Sequence, residues 1–137
     1  MRDFRTHPVA SSEANQVIKE ERIKKVLAGD MKELNDYARL LGEHFAKGKD
    51  KEQLTTSQIR NVLNEVQKMP EKGFDENQLQ LLRPKLAYAA GRHKGKVMEF
   101  QKLLDMVIQA TNKDNFKNFK YFIEAIVAYH RYFVDVK

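Results

Sequence analysis

Apolar side chains recur every three or four residues along most of this chain, and they show no sustained alternation with polar ones. Between residues 31 and 47 the apolar positions form one helical face: Met31, Leu34, Tyr37, Ala38, Leu41 and Phe45. This period is that of an amphipathic α-helix, whereas a half-buried strand has a period of two. Six Gly and three Pro among 137 residues are too few for the many turns of an all-β protein. The sequence therefore predicts an all-α protein.

Turn and capping residues divide the chain into helical segments. The predicted helices cover about 12–28, 31–47 and 56–69, a fourth that begins after Asp75, then about 96–111 and 115–134. Thr55 and Gln58 have the spacing of a capping box, and Asp30 and Asp75 stand where a helix cap is expected. Pro84 lies inside the fourth segment and predicts a kink or a break there.

These segments are long enough, and their loops short enough, for a compact bundle of five to six helices. We expect residues 12–137 to form a single helical-bundle domain. Residues 1–11 are polar, contain Pro8 and show no periodicity, so they are expected to form a flexible N-terminal tail.

The residue types that most catalytic and metal sites require are missing or scattered. Cysteine is absent, which excludes disulfides and thiol chemistry. No two of the four histidines, His7, His44, His93 and His130, lie four residues apart on one helix, as a helical metal-binding pair would. There is also no glycine-rich phosphate loop and no serine nucleophile motif. We predict a protein that is not an enzyme and that binds no metal or cofactor.

Membrane and export signals are not evident in the sequence. No apolar run approaches the roughly 18 residues of a membrane-spanning helix. The first residues, MRDFRTHP, lack the continuous apolar stretch of a secretion signal. We therefore expect a cytoplasmic protein with no membrane partner.

Positive charge is concentrated in one stretch of the chain. The formal net charge is +6, and no acid lies between Glu76 and Glu99. Five cations lie in that interval: Arg83, Lys85, Arg92, Lys94 and Lys96. If residues 81–96 form one helix, four side chains share one exposed stripe: Lys85, Tyr88, Arg92 and Lys96.

A row of cations matches a phosphate backbone, and an interleaved tyrosine can stack on a base or a sugar. We therefore predict that this stripe binds RNA, with Arg60 and Lys49 as further candidates. The loop of Lys47, Lys49 and Lys51, with Arg39 and Arg60, is the alternative RNA surface. An ordinary solvated face is the other interpretation, although such a face usually mixes both signs of charge.

The last predicted helix has two apolar faces. Its broad core face comprises Phe116, Phe119, Phe122, Ile123, Ile126, Val127 and Phe133. His130 falls within this face, where a hydrogen-bonded core histidine is expected rather than a catalyst. A second stripe on the other side comprises Tyr121, Ala125, Ala128 and Tyr132. Tyrosines separated by small residues suit a close protein contact, so this stripe is the predicted interface.

Three segments occur in order at characteristic spacings: LTTSQIR from Leu54, LRPKLAYAAGR from Leu82, and FIEAIVAYHRYF from Phe122. Together they resemble the small subunit of type III-A (Csm) CRISPR effector complexes. The likeness covers about residues 54–133. The first 50 residues carry no motif of this kind.

The resemblance implies a small, helical, non-catalytic RNA-binding subunit that serves antiviral defence. Its expected partners are guide RNA and target RNA, other copies of itself, and the backbone and large subunits of the complex. Several copies would stack along the guide RNA–target RNA duplex and contact the nucleic-acid backbone without reading sequence. RNA and DNA cleavage would belong to other subunits.

A second class of function is also consistent with the residues. The chain could be a homodimeric helical adaptor, with a basic face that is merely solvated and a main contact through Tyr121 and Tyr132. Salt distinguishes the two, because phosphate binding weakens steeply with salt and an apolar dimer contact does not.

Overall fold

The computed structural model describes residues 17–47, 54–91 and 95–135. Within these ranges the chain forms six helices and no strand: α1 (Glu20–Leu27), α2 (Met31–Ala46), α3 (Thr56–Gln67), α4 (Glu76–Gly91), α5 (Lys96–Gln109) and α6 (Phe116–Asp135). The predicted all-α fold is confirmed. The predicted tail, residues 1–11, lies outside the described residues.

The predicted caps are present at the start of three helices. The hydroxyl of Thr55 accepts the backbone N–H of Gln58, and the Gln58 carboxamide oxygen accepts the N–H of Thr55. The carboxylates of Asp30 and Asp75 accept backbone N–H groups in the first turns of α2 and α4. Each bond satisfies a donor that the helix itself leaves unpaired, so these helices begin where the sequence predicts.

One predicted helix boundary is wrong, and of the kink or break predicted at Pro84 the break is not formed. The predicted helix over 12–28 is interrupted, because the backbone of Lys19 is extended and α1 begins only at Glu20; residues 12–16 lie outside the described residues. Helix α4 continues through Pro84 without a break. Leu82 and Leu86 on either side of the proline are both buried, so packing on this face offsets the hydrogen bond that proline cannot donate.

Helices α2 and α6 form the centre of the bundle. They share the most extensive interhelix contact, α1 packs on both, α3 packs on α6, and α4 pairs with α5. Gly42 lets the two central helices approach closely: a Cβ atom there would lie 2.6 Å from the Cβ of Tyr129 and 2.7 Å from the backbone nitrogen of His130. No side chain fits into that space without movement of the α6 backbone.

Aromatic contacts connect the helices around this centre. The rings of Tyr37 in α2 and Phe122 in α6 are stacked with centroids 5.7 Å apart. Phe45 of α2 meets Phe100 of α5 edge-on at 5.2 Å, which attaches the α4–α5 pair to the rest. The predicted core face of α6 is confirmed for five of its seven members: Phe116, Phe119, Phe122, Ile123 and Ile126 are buried, while Val127 and Phe133 are only partly buried.

The segment before α1 is fixed to α2 by a buried tyrosine. The hydroxyl of Tyr37 donates to the backbone oxygen of Val17 and accepts the N–H of Lys19. Burial raises the pKa of Tyr37 to about 12, so the hydroxyl keeps its proton at neutral pH. The core residues of α1 are Ile23, Val26 and Leu27, which are all buried.

Candidate nucleic-acid interface

Lys85 lies on α4 with 66 % of its side chain exposed, opposite the end of α3. Its Nζ is 3.2 Å from Oε1 of Glu65, and the other oxygen of that carboxylate is 2.9 Å from Nζ of Lys68. The hydrogen bonds from Lys68 and then Lys85 lower the pKa of Glu65, so the carboxylate is ionised at neutral pH. Two cations share one anion, which leaves this group with one positive charge in excess.

A cleft of about 250 Å³ opens beside Lys85, between α3 and the α4–α5 pair. Its floor and walls are apolar: Leu54, Val62, Leu82, Leu86, Ala89, Val97 and Phe100. Its rim is polar: Gln58, Asn61, Glu65, Lys85 and Gln101. The cleft therefore combines an apolar interior with hydrogen-bonding groups at the mouth, as small-ligand sites do.

The outer face of α3 continues this polar rim. A shallow depression bordered by Asn61, Asn64, Glu65, Gln67 and Lys68 shares two residues with the cleft. Arg60 is exposed on the same helix. We use the term α3–α4 surface for Arg60, Asn61, Lys68, Lys85 and Tyr88.

Tyr88 is 71 % exposed, one helical turn beyond Lys85. Leu81, two turns before Tyr88 on the same face, is also largely exposed. Leu81 was not among the predicted site residues, although its seven-residue spacing from Tyr88 places both on one helical face. Together these side chains give α4 an outer face that is partly apolar.

Lys96 does not belong to the predicted stripe. Only 13 % of its side chain is exposed, and its Nζ lies 3.1 Å from Nε2 of His44 and 3.9 Å from Oε2 of Glu99. The single helix over 81–96 on which that prediction depended is not formed. Gly95 has a φ of 74°, which is far from the helical value. The side chains of α5 therefore do not continue the faces of α4.

Lys96 is part of a largely buried polar cluster between α2 and α5. Glu99 is buried, and its Oε1 lies 2.8 Å from Nε2 of His44. The side chain of His44 is mostly buried too, with its ring edge-on to Phe45. Buried charged groups are tolerated when they pair in this way, so the cluster is a link between helices.

The acid-free stretch of sequence is partly neutralised in three dimensions. Arg83 binds both carboxylate oxygens of Asp105 in α5, through Nε at 2.7 Å and Nη2 at 3.3 Å. Lys85 meets Glu65 from α3, and Lys96 meets Glu99 from its own helix. Of these three cations, Lys85 is the most exposed.

Two of the predicted RNA-binding residues, Arg92 and Lys49, lie outside the described residues, as does Lys51 of the alternative loop. Among the described candidates, Lys85 and Tyr88 lie on successive turns of α4, whereas Lys96 is mostly buried against α2. Arg60 lies on the neighbouring helix α3.

The predicted interface stripe on α6 is exposed over most of its length. Tyr121 and Tyr132 are 40 % and 50 % exposed, and Ala128 between them is exposed. Ala125 differs, because it is half-buried and packs against the core. The amino group of Lys117 lies 5.7 Å from the centroid of the Tyr121 ring, so a cation borders the stripe.

His130 is fully buried. Its Nε2 lies 2.6 Å from the backbone oxygen of Leu54. A carbonyl only accepts hydrogen bonds, so Nε2 carries a proton and donates to it. Nδ1 has no hydrogen-bond partner among the described residues. Burial lowers the pKa of His130, and the predicted hydrogen-bonded core position is confirmed.

Neither a metal site nor a membrane span was found in the described ranges. No group of three or more His, Asp or Glu side chains there could hold a metal ion. No helix in residues 17–47, 54–91 or 95–135 combines the length and apolarity required to cross a membrane.

Comparison with known proteins identifies the family. Residues 28–135 match the Csm2 Type III-A family. The chain belongs to this family. No curated protein and no solved structure matches the chain.

The Csm2 family is that of a small subunit of type III-A CRISPR complexes, so the resemblance stated from the sequence is confirmed. The match includes α2 to α6 in full and leaves out α1. The α3–α4 surface and the α6 stripe both lie within the part of the chain that defines membership of the Csm2 family.

Two features of the surface on this Csm2 family member were missed by the sequence analysis. Glu65 lies on α3 and Lys68 directly follows its last residue, twenty and seventeen residues before Lys85, and no local pattern connects them with Lys85. The cleft is lined by three helices that meet only in the folded chain. The capping box at Thr55 fixes where α3 begins, and the apolar period then indicates which face of α3 is polar.

Proposed function

We propose that this chain is the non-catalytic, RNA-binding small subunit of the type III-A CRISPR complex. It contacts the backbone of guide RNA and target RNA without reading sequence, and several copies act together with the backbone and large subunits in the cytoplasm. The observation that carries this proposal is the α3–α4 surface, where Lys85 and Lys68 share a single carboxylate. Family membership supports the assembly, and the surface supports the RNA contact.

The ion pair between Lys85 and Glu65 is compatible with such a contact. Both side chains are substantially exposed, and an exposed ion pair stabilises a protein by only about 0–1 kcal/mol. Lys85 can therefore exchange Glu65 for an RNA phosphate at small cost. Release of counterions from the RNA then favours binding, and this term is independent of base sequence.

A salt series tests the phosphate contact. We expect Lys85→Ala combined with Arg60→Ala to flatten the slope of log affinity against log salt by roughly 1.4, since each phosphate contact to a single strand contributes about 0.7. RNA affinity of the full chain is measured by fluorescence anisotropy on two unrelated sequences, which should bind equally well. The matched control is Lys24→Ala with Lys25→Ala, which removes two exposed cations from α1. An unchanged slope in the first double variant would contradict the proposed surface.

Glu65→Gln supplies a second, opposite change. Glutamine keeps the size of the side chain but removes the negative charge, so Lys68 and Lys85 lose their competing partner. We expect RNA affinity to rise several-fold at low salt, and less at high salt because screening weakens the effect. Asp105→Asn, which removes a carboxylate bound to Arg83 outside the α3–α4 surface, is the control. Equal or weaker RNA binding by Glu65→Gln would count against the assignment of Lys85.

A further inference from the structure

The cleft beside Lys85 is lined mainly by side chains that are buried or half-buried in the folded chain. Leu54, Leu86 and Phe100 are buried at its floor, and Val97 is half-buried at its side. Ala89, by contrast, is exposed on the α4 wall. A ligand that enters therefore meets a narrow apolar slot between helices with a small residue at one edge.

The size of the cleft restricts what can occupy it. Its volume of about 250 Å³ is below the roughly 300–1,000 Å³ of sites that enclose a drug-sized ligand. One planar ring system fits, whereas a whole nucleotide does not. A phosphate attached to that ring would remain outside, at the rim.

The rim carries three carboxamides, from Gln58, Asn61 and Gln101. The Gln58 oxygen accepts the N–H of Thr55 in the helix cap, and the amino group of the same carboxamide is a donor. Asn61 and Gln101 each supply both donors and an acceptor. This mixture matches the edge of a nucleobase, which presents donors and acceptors in one plane. An apolar side chain from a partner protein would desolvate these amides without pairing them, which is costly.

The positive charge at the mouth of the cleft also favours a nucleotide, because a nucleotide carries a phosphate. Lys85 stands on the rim, and Lys68 lies just beyond it on the same carboxylate. We infer that this cleft binds one unpaired nucleobase of the RNA, with the base between α3 and α4 and its phosphate on Lys85. The inference rests on the proposed function and adds a base site to it. Because amides can pair with the edge of any base, this site is consistent with binding that does not depend on sequence.

The test compares a short single-stranded RNA with a ribose–phosphate chain of the same length that lacks bases. We expect the wild-type full chain to bind the base-bearing RNA about tenfold more tightly, a difference of ~1.4 kcal/mol and within the range for stacking of one base. Ala89→Leu should fill the cleft and abolish this difference without a change in salt slope. Ala87→Leu, an exposed alanine on the same helix that does not line the cleft, is the control and should bind like wild type.

A second readout does not depend on any variant. An RNA that carries the fluorescent base 2-aminopurine should change its emission when wild-type protein binds, because the base leaves its stacked neighbours for the cleft.

The outcomes separate the two proposals. If wild type binds both chains equally, or if Ala89→Leu binds like wild type while Lys85→Ala still flattens the salt slope, the base site is wrong and the RNA surface stands. If Ala89→Leu blocks assembly with other subunits but leaves RNA affinity intact, the occupant is a protein side chain and the base site is overturned. If neither chain binds at low salt, the proposed function fails and this inference fails with it.

Discussion

Lys85 and Lys96 carry the same charge in the same acid-free stretch, yet their surroundings give them different roles. Lys85 is mostly exposed and pairs with one oxygen of the Glu65 carboxylate, whose other oxygen pairs with Lys68. Lys96 is mostly buried beside Glu99. Removal of one partner from a buried pair typically costs 3–5 kcal/mol, whereas a surface pair contributes at most about 1 kcal/mol. A change at Lys85 therefore reports on binding, and a change at Lys96 reports on stability.

His130 should make the stability of the fold dependent on pH. Burial lowers its pKa below the ordinary value of 6.5, so the unfolded chain takes up a proton at a higher pH than the folded chain does. The stabilisation is complete above about pH 6.5 and is lost as pH falls from there towards the lower folded pKa. We expect the free energy of unfolding from urea titrations to fall in this window, with a slope from His130 of at most roughly 1.4 kcal/mol per pH unit.

His130→Gln isolates this effect from the other histidines. Glutamine keeps an N–H donor for the backbone oxygen of Leu54 but does not titrate. The difference in stability between wild type and His130→Gln should therefore change between pH 7 and pH 5 and be constant above pH 7. Parallel curves over the whole range would mean that His130 takes up its proton equally in the folded and unfolded chains.

At the scale of the helices, the chain changes direction at Gly95 and not at Pro84. The proline lies within one continuous helix whose buried leucines hold it in place. The glycine has a positive φ and separates α4 from α5. A helical wheel is valid only within one helix. Because α4 ends before Gly95 and Lys96 belongs to α5, the wheel gave the wrong face for Lys96.

Local signals were sufficient for most of the fold. Caps at Asp30, Thr55 and Asp75 and the apolar period placed the helices, because both depend on residues within a few positions of each other. The candidate site depends on contacts between helices, such as the pair of Glu65 and Lys85. No periodicity encodes these contacts. The stripe of three cations and Tyr88 was therefore predicted from one segment of the chain, without the acids Glu65 and Asp105 that lie on other helices.

The close approach of α2 and α6 gives a test at this scale. Gly42→Ala would gain up to about 1 kcal/mol of helix propensity, but its Cβ would lie 2.7 Å from the backbone nitrogen of His130. Backbone cannot rotate away as a side chain can, and overpacking costs roughly 1–3 kcal/mol. We expect a net loss of stability of about 1 kcal/mol or more, measured by urea unfolding.

Leu40→Ala, at an exposed position on the same helix, serves as the control for Gly42→Ala. Its stability should lie within about 0.5 kcal/mol of wild type. If Gly42→Ala were as stable as wild type or more so, the two central helices would be farther apart than the structure places them.

At the scale of the whole molecule, the chain presents two different candidate surfaces. The α3–α4 surface offers cations, amides and Tyr88, which suit an anionic polymer. The α6 stripe offers Tyr121 and Tyr132 separated by small residues. A subunit that stacks along a duplex needs both kinds of contact, because its affinity for RNA is multiplied when neighbouring copies hold one another in place.

Two substitutions that introduce carboxylates test whether the α6 stripe is an interface. We expect Tyr121→Glu combined with Ala128→Glu to keep the wild-type circular dichroism spectrum, because both positions are exposed. The same variant should lose self-association or fail to enter the reconstituted complex, since a charge buried in an interface without a partner is strongly unfavourable. Lys102→Glu, at an exposed position on α5, changes the net charge by the same amount and should assemble normally.

The assembly defect of the stripe variant should persist in high salt, because apolar contacts are not screened, whereas loss of RNA binding by Lys85→Ala should matter less as salt rises. Gel filtration and reconstitution that match wild type would show that the stripe is only solvated surface, and the contact between subunits would then have to be sought elsewhere on the chain.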